Sequence, residues 1–162
     1  MAATRQEGDG GTGPGTEPEP VRLRIPEIQG AGHVSPLVAA SLPAFLAGQV
    51  PTDAPRVITS GIVTAADGAG FFLQDAAGDG DPATSDAIFV ATGGVPGVTV
   101  GQAVEVAGRV EERRPGGPEA GALPVTTLAA GSVEVLEPAV TIFPTRTWLG
   151  EGRRLPPTET IE

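Results

Sequence analysis

Four aspartates within twelve residues are the side chains of this sequence best suited to chemistry. Hard cations such as Ca²⁺ take several oxygen ligands from flexible, glycine-containing loops, and an Asp-x-Asp spacing can bring two carboxylates to one ion. The EF-hand pattern is not met, because the third aspartate and the distal glutamate of that motif are absent. The sequence therefore predicts a Ca²⁺ site of another kind. Its candidate ligands are Asp75, Asp79, Asp81 and Asp86.

The same loop has a purely structural interpretation, which is the more common one for such segments. Aspartates in glycine-rich loops accept hydrogen bonds from nearby backbone N–H groups and form Asx turns. On this interpretation residues 76–85 are a polar connection between two strands and bind no ion. Both interpretations are open from the sequence alone.

No combination of residues suggests catalysis. His33 is the one histidine, and it has no partner nearby that would orient it as a general base. Ser35, Ser60 and Ser85 lack the context of a nucleophile elbow, and no glycine-rich phosphate loop precedes a helix. We therefore expect no catalytic residue in this chain.

Charge and composition restrict the function classes further. The 162 residues carry a formal charge of −10, contain no lysine and no cysteine, and include 24 Gly and 17 Pro. A net negative charge opposes long-range attraction to polyanions, so nucleic-acid binding would need a local arginine patch. The composition argues against a membrane-surface role. Residues 1–20 lack an apolar run, so we expect any export signal to lie upstream of them.

The elements that must position these residues are mostly strands. Pro36 to Ala47 has helical composition interrupted by Pro43, which predicts one or two short helical turns. Elsewhere, β-branched and alternating apolar residues between glycine-rich turns indicate strands, with a bend or bulge at Gly61. The predicted strands are 21–28, 57–64, 71–75, 87–91, 103–110, 123–128 and 132–136.

Short strands at roughly ten-residue spacing without a long helix are typical of a small barrel or sandwich. The order of the hairpins favours an all-β, OB-like Greek-key barrel of five to six strands. The predicted domain covers residues 21–137 with an insertion at 37–56. A disordered linker is predicted at 1–20 and an extended C-terminal segment at 138–162.

OB barrels bind ligands on the face of their second and third strands and in the flanking loops, by aromatic stacking and cationic grooves. Phe71 and Phe72 are consecutive, so alternation turns one inward and the other outward. The alternative is that both close the core. The candidate nucleic-acid-binding residues are Phe72, Gln74, Arg109, Arg113 and Arg114.

Several motifs resemble those of a known family. IPEIQG at 25–30, GIVTA at 61–65, GFFLQD at 70–75 and GDGDPATSDAIFV at 78–90 are similar to the YhcR-like OB-fold module of large secreted bacterial nucleases, the ExeM and NucH type. VTVGQAVEVAGRV at 98–110 and PPTE at 156–159 extend the similarity, which covers about residues 22–162. The segment 37–56 departs from the pattern as an insertion.

The resemblance implies a non-catalytic accessory module, N-terminal to an endonuclease/exonuclease/phosphatase-type domain in an extracellular hydrolase. Its expected partners are DNA or RNA and the downstream nuclease domain, with no membrane partner. The alternative function is a structural spacer or protein-interaction domain stabilised by Ca²⁺. No cofactor other than Ca²⁺ is expected.

Overall fold

A computed structural model describes residues 19–138. The predicted N-terminal linker lies outside the described residues except for its last two positions. The predicted C-terminal extension lies outside them except for Pro138.

Six strands, two short α-helices and one 3₁₀ turn make up the described chain. The strands are β1 (Val21–Arg22), β2 (Arg56–Ala66), β3 (Gly70–Gln74), β4 (Ala87–Ala91), β5 (Ala103–Arg113) and β6 (Val125–Glu137). The helical segments are α1 (Ile25–Gln29), the 3₁₀ turn Ala39–Ser41 and α2 (Leu42–Leu46).

The sheet closes into a barrel of five strands. β2 pairs antiparallel with β3, β3 with β4, β6 with β5 and β5 with β2, whereas β4 and β6 run parallel. β1 adds a short parallel pairing to β2 outside the ring. Both edges of β6 are paired as far as Ala129, whereas residues 130–137 pair with β5 alone among the described strands. The all-β, OB-like Greek-key barrel predicted from the sequence is therefore confirmed.

Alternating residues of β2, β3, β4 and β5 fill the barrel. On β5, Val104, Val106 and Val110 are fully buried, as the alternation predicted. Phe71 is the largest fully buried side chain of β3. Gly61 lies on the inward side of β2. A Cβ added there would collide with the Gln74 carbonyl oxygen. A bend or a bulge was predicted at Gly61, and the bulge of β2 lies instead between Val63 and Ala65.

Two predicted elements are wrong in part. The first strand ends at Arg22, and Ile25–Gln29 forms a helix with Pro26 in its first turn, where its missing N–H costs no hydrogen bond. Ile25 and Ile28 are both fully buried, so α1 packs against the hydrophobic core of the barrel. The two strands predicted at 123–128 and 132–136 are one continuous strand, β6, with a register shift where it passes Ala107 and Gly108.

The segment 37–56, predicted to be an insertion, forms the predicted helical turns. Val38, Phe45 and Ala54 from this segment join the hydrophobic core, and α2 contacts β5. Residues 92–102, where many OB barrels carry a helix, contain only turns. No helix within residues 19–138 is long and apolar enough to span a membrane.

Candidate functional site

Two phenylalanine rings lie in contact on the outside of the barrel. Phe72 of β3 pairs in register with Phe89 of β4, and their centroids are 5.1 Å apart in an edge-to-face arrangement with an interplanar angle of 62°. Phe72 is 45% exposed, whereas its neighbour Phe71 is fully buried. Alternation along β3 is thus confirmed, and the alternative that both phenylalanines close the core is wrong.

Gln74 lies on the same outer face, two residues beyond Phe72, and is exposed. Phe89 is the member of this face that the sequence prediction missed. Its alternation with the buried Ile88 and Val90 places it outward, and that pattern could have identified it. Its contact with Phe72 depends on strand register and could not be predicted from local spacing.

The predicted arginines lie on another side of the barrel. Arg109 and Arg113 are on the outer face of β5, and Arg114 begins the tip that joins β5 to β6. β3 and β5 are the two neighbours of β2, so their outward side chains point to different sides of a five-stranded ring. The structure therefore places Phe72 and Gln74 on a different strand from the arginines, although Phe89 is joined in register to Glu111 of β5 through Thr127 of β6.

Each of these arginines has defined contacts. Arg109 is half-buried and lies opposite Arg56 of β2 in register. Arg113 Nε lies 3.1 Å from a carboxylate oxygen of Glu111, so its charge is compensated within the strand. Arg114 donates from Nη1 to the carbonyl oxygen of Pro118 at 2.6 Å, across the tip.

The first aspartate of the acidic loop is bound to an arginine. Arg24 Nε and Nη2 each lie 3.0 Å from a carboxylate oxygen of Asp75, and Nη2 also donates to the Gly78 carbonyl oxygen at 2.8 Å. Asp75 further accepts the backbone N–H groups of Ala77 and Gly78. The Arg24 hydrogen bond is the main reason that the pKa of Asp75 lies below its ordinary value.

The other three aspartates accept hydrogen bonds inside the loop. Asp79 accepts the N–H of Asp81 at 2.8 Å and the hydroxyl of Thr84 at 2.7 Å, and the N–H of Asp81 is the largest cause of the lowered pKa of Asp79. Asp81 accepts from Ala83, and Asp86 accepts from the N–H of Asp79. These contacts support the structural interpretation of the loop.

No group of three or more potential metal-ligating side chains is brought together within residues 19–138. The Ca²⁺ site at the four aspartates stays a prediction. Asp75 is hydrogen-bonded to Arg24, and a Ca²⁺ ion would have to compete with Arg24 for the Asp75 carboxylate.

A groove of about 440 Å³ lies where β2 passes between β1 and β3. Arg22 and Arg24 stand at its border, but Glu105 binds the first at 2.6 Å and Asp75 binds the second. Both charges are therefore compensated, and this groove offers no uncompensated cation.

No protein-family model matches the sequence, and no curated protein matches it. Among solved structures, the chain is similar to the crystal structure of a DUF3299 family protein from Pseudomonas aeruginosa PAO1. The sequence identity is 15% and the TM-score 0.41, over 76% of this chain and 100% of that chain. The function has to be inferred from the side chains of the barrel.

Proposed function

We propose that this chain is a non-catalytic accessory module that binds single-stranded nucleic acid on the outer face of β3 and β4. The observation that carries the proposal is the contact between the exposed Phe72 and the half-buried Phe89 on the outer face of the barrel. β3 and β4 are the second and third strands of the closed barrel, the strands on which OB barrels bind oligonucleotides.

An aromatic pair on the outer face, with one exposed and one half-buried ring, is unusual in a chain with so few aromatic residues. The sequence contains five phenylalanines, one tryptophan and no tyrosine, and large apolar side chains are normally used in the core. Here Phe72 and Phe89 lie outside the barrel, while smaller aliphatic residues fill most of its interior. Stacking of a base on an aromatic ring contributes about 1–3 kcal/mol. The pair is therefore suited to one or two bases.

Gln74 adds to this face a polar side chain that could pair with the edges of bases. Its amide offers both a donor and an acceptor, which single-stranded bases can pair with once they are unstacked. Charge contributes less, because the protein carries −10 overall and no described arginine lies on β3 or β4. Stacking should therefore provide more of the affinity than phosphate contacts, and the salt dependence should be shallow.

The resemblance to modules of secreted nucleases suggests the setting of this activity. An accessory barrel that holds a single strand would position the substrate for a neighbouring catalytic domain in an extracellular enzyme. A spacer or protein-interaction domain is the competing function, and it would not require Phe72 to contact bases.

Fluorescence anisotropy of a labelled oligothymidylate, titrated with the full chain at low salt, tests the proposal. Phe72→Ala should weaken binding by about tenfold or more, because it removes one stacking surface. Val95→Ala is the matched control, because Val95 is an exposed apolar residue, 85% accessible, in the loop after β4. Absence of binding at low salt, with or without Ca²⁺, or equal effects of the two substitutions, would refute the proposal.

A further inference from the structure

A second cleft lies between the segment 37–56 and the tip that joins β5 to β6. Its volume is about 260 Å³. The end of α2 and the turn after it, residues 45–50, form one wall, and the tip forms the other. The walls approach closely at one point, since a Cβ on Gly48 would lie 3.1 Å from Pro118 Cγ. The side chains that matter most for its chemistry belong to Phe45, Gln49, Val50, Arg113 and Arg114.

Arg114 differs from the other arginines whose contacts were described above. Arg22, Arg24 and Arg113 each bind a carboxylate. Within residues 19–138, Arg114 has a hydrogen bond to a backbone carbonyl only, that of Pro118, and its Nε is buried without an acceptor. Oε2 of Glu112, another lining residue, is also buried without a partner. Because the Nε of Arg114 is not exposed to the cleft, a ligand there would have to contact Arg114 through its Nη atoms.

Both carboxylates that line the cleft have partners other than Arg114. Glu111 is bound by Arg113. Glu112 is 3% exposed and accepts the N–H of Ser35 at 2.9 Å and the hydroxyl of Thr126 at 2.7 Å. Burial is the main cause of its raised pKa, which favours the neutral acid.

We propose that this cleft binds the phosphate group of a nucleotide, with Arg114 as its main ligand. The guanidinium fork matches phosphate oxygens in two parallel hydrogen bonds. Val50 and Phe45 supply apolar surface for the attached nucleoside. The volume lies just below the range of about 300–1,000 Å³ of small-molecule pockets, so it suits a single nucleotide.

This inference rests on the proposed function and adds a phosphate subsite to it. The subsite depends on the segment 37–56, which supplies the wall opposite the tip. Thr127 of β6 lies in register between Phe89 and Glu111, which lines the cleft, so the two sites are distinguished by their own signals and variants.

NMR on the ¹⁵N-labelled full chain provides the test, with the Arg114 Nε–H signal and the backbone amides of Gly48 and Gly117 as reporters. The probes are inorganic phosphate, adenosine 5′-monophosphate, and oligothymidylates with and without a 5′-phosphate. We expect saturable shifts of these signals with the mononucleotide. A larger response to the 5′-phosphorylated strand than to the unphosphorylated one would identify strand ends as the source, and equal responses would identify internal phosphates.

Arg114→Gln should weaken the mononucleotide response at Gly48 and Gly117 at least tenfold, because a charge-assisted pair of hydrogen bonds is lost. Arg22→Gln, which removes an exposed arginine elsewhere, should leave it unchanged, and equal melting temperatures would show that both variants fold. No saturable shift up to about 10 mM of any probe, where a millimolar site would be nearly full, would overturn the proposal. An unchanged response in Arg114→Gln would also overturn it.

Different results would contradict the proposal for the β3–β4 face and the proposal for the cleft. Oligonucleotide binding that depends on Phe72 but never shifts the Arg114 signal would contradict the cleft alone. A mononucleotide response without Phe72-dependent strand binding would contradict the β3–β4 face alone.

Discussion

Arg24 holds Asp75 through both of its carboxylate oxygens, each at 3.0 Å, and so fastens the acidic loop to the segment between β1 and α1. The same guanidinium reaches the Gly78 carbonyl oxygen. The positively charged guanidinium group of Arg24 thus lies among oxygen atoms of the acidic loop. The conformation of the loop therefore depends on its contacts with Arg24 as much as on its own Asx turns.

Arg24→Gln should lower the melting temperature at neutral pH by a few degrees, because Asp75 loses its bidentate partner. The pKa of Asp75 is lower in the folded protein than the ordinary value of 3.8, so the interaction stabilises the fold above that pH. Its contribution is lost as the pH falls below about 3.8 toward the folded pKa. Thermal unfolding of both proteins from pH 7 to pH 2.5 measures this difference.

Asp75→Asn is the matched variant, and the double variant should be little less stable than either single one, because one interaction is removed twice. A difference between wild type and Arg24→Gln that persists undiminished below pH 3 would contradict the assignment.

The predicted calcium site can be tested with the same substitution. If Asp75, Asp79, Asp81 and Asp86 bind Ca²⁺, the ion competes with Arg24 for Asp75. The Ca²⁺-dependent rise in melting temperature should then be larger in Arg24→Gln than in wild type, and Asp79→Ala should abolish it. Melting curves with Ca²⁺ and with Mg²⁺ would measure it, and identical curves with and without Ca²⁺ in both proteins would contradict the site.

Glu112 should give the stability a pH dependence of the opposite sign. Burial raises its folded pKa above the ordinary value of 4.5, so its contribution is fully present below pH 4.5 and is lost as the pH rises through the folded pKa. Glu112→Gln should remove this dependence, whereas Glu112→Ala should cost about 2–4 kcal/mol, because Ser35 N–H and the Thr126 hydroxyl lose their acceptor. Urea unfolding at several pH values checks both. Equal pH profiles for wild type and Glu112→Gln would refute the explanation.

The strands were predictable where one face alone is buried. Alternation along 103–110 identified the buried side of β5 correctly, and the β-branched run at 57–64 identified most of β2. Ile25 shows the limit of this pattern. Val21, Leu23 and Ile25 alternate as in a strand, but Pro26 lies in the first turn of a helix, a position that fits proline as well as a strand end does.

The candidate site was only partly predictable, because its contacts join distant segments. The outward position of Phe72 follows from local alternation, but its contact with Phe89 follows from the β3–β4 register. The separation of Phe72 from Arg113 depends on barrel closure through β2. Neither relationship can be predicted from the spacing of residues along the sequence.

The two consecutive phenylalanines should differ sharply in their effect on stability. Phe71→Ala opens a cavity in the core and should cost about 3–5 kcal/mol. Phe72→Ala loses one edge-to-face contact on the surface and should cost about 1 kcal/mol. Chemical denaturation of both variants measures the difference, and similar costs would show that Phe72 supports the core after all. The small cost at Phe72 also makes that variant suitable for binding experiments.

Gly61 and Gly68 offer a paired test of the barrel's tight approach between strands. A methyl group at Gly61 would meet the backbone carbonyl of Gln74, which cannot move without disturbing the β2–β3 pairing, whereas one at Gly68 would meet nothing within 4 Å. Gly61→Ala should therefore destabilise the fold by about 2 kcal/mol or more, through overpacking, and Gly68→Ala should change stability by less than about 0.5 kcal/mol. Both residues have backbone angles open to alanine, so the contrast isolates the packing effect from conformational strain. Urea unfolding measures both free energies, and a Gly61→Ala variant as stable as Gly68→Ala would mean that β2 and β3 are farther apart at this point than the structure has them.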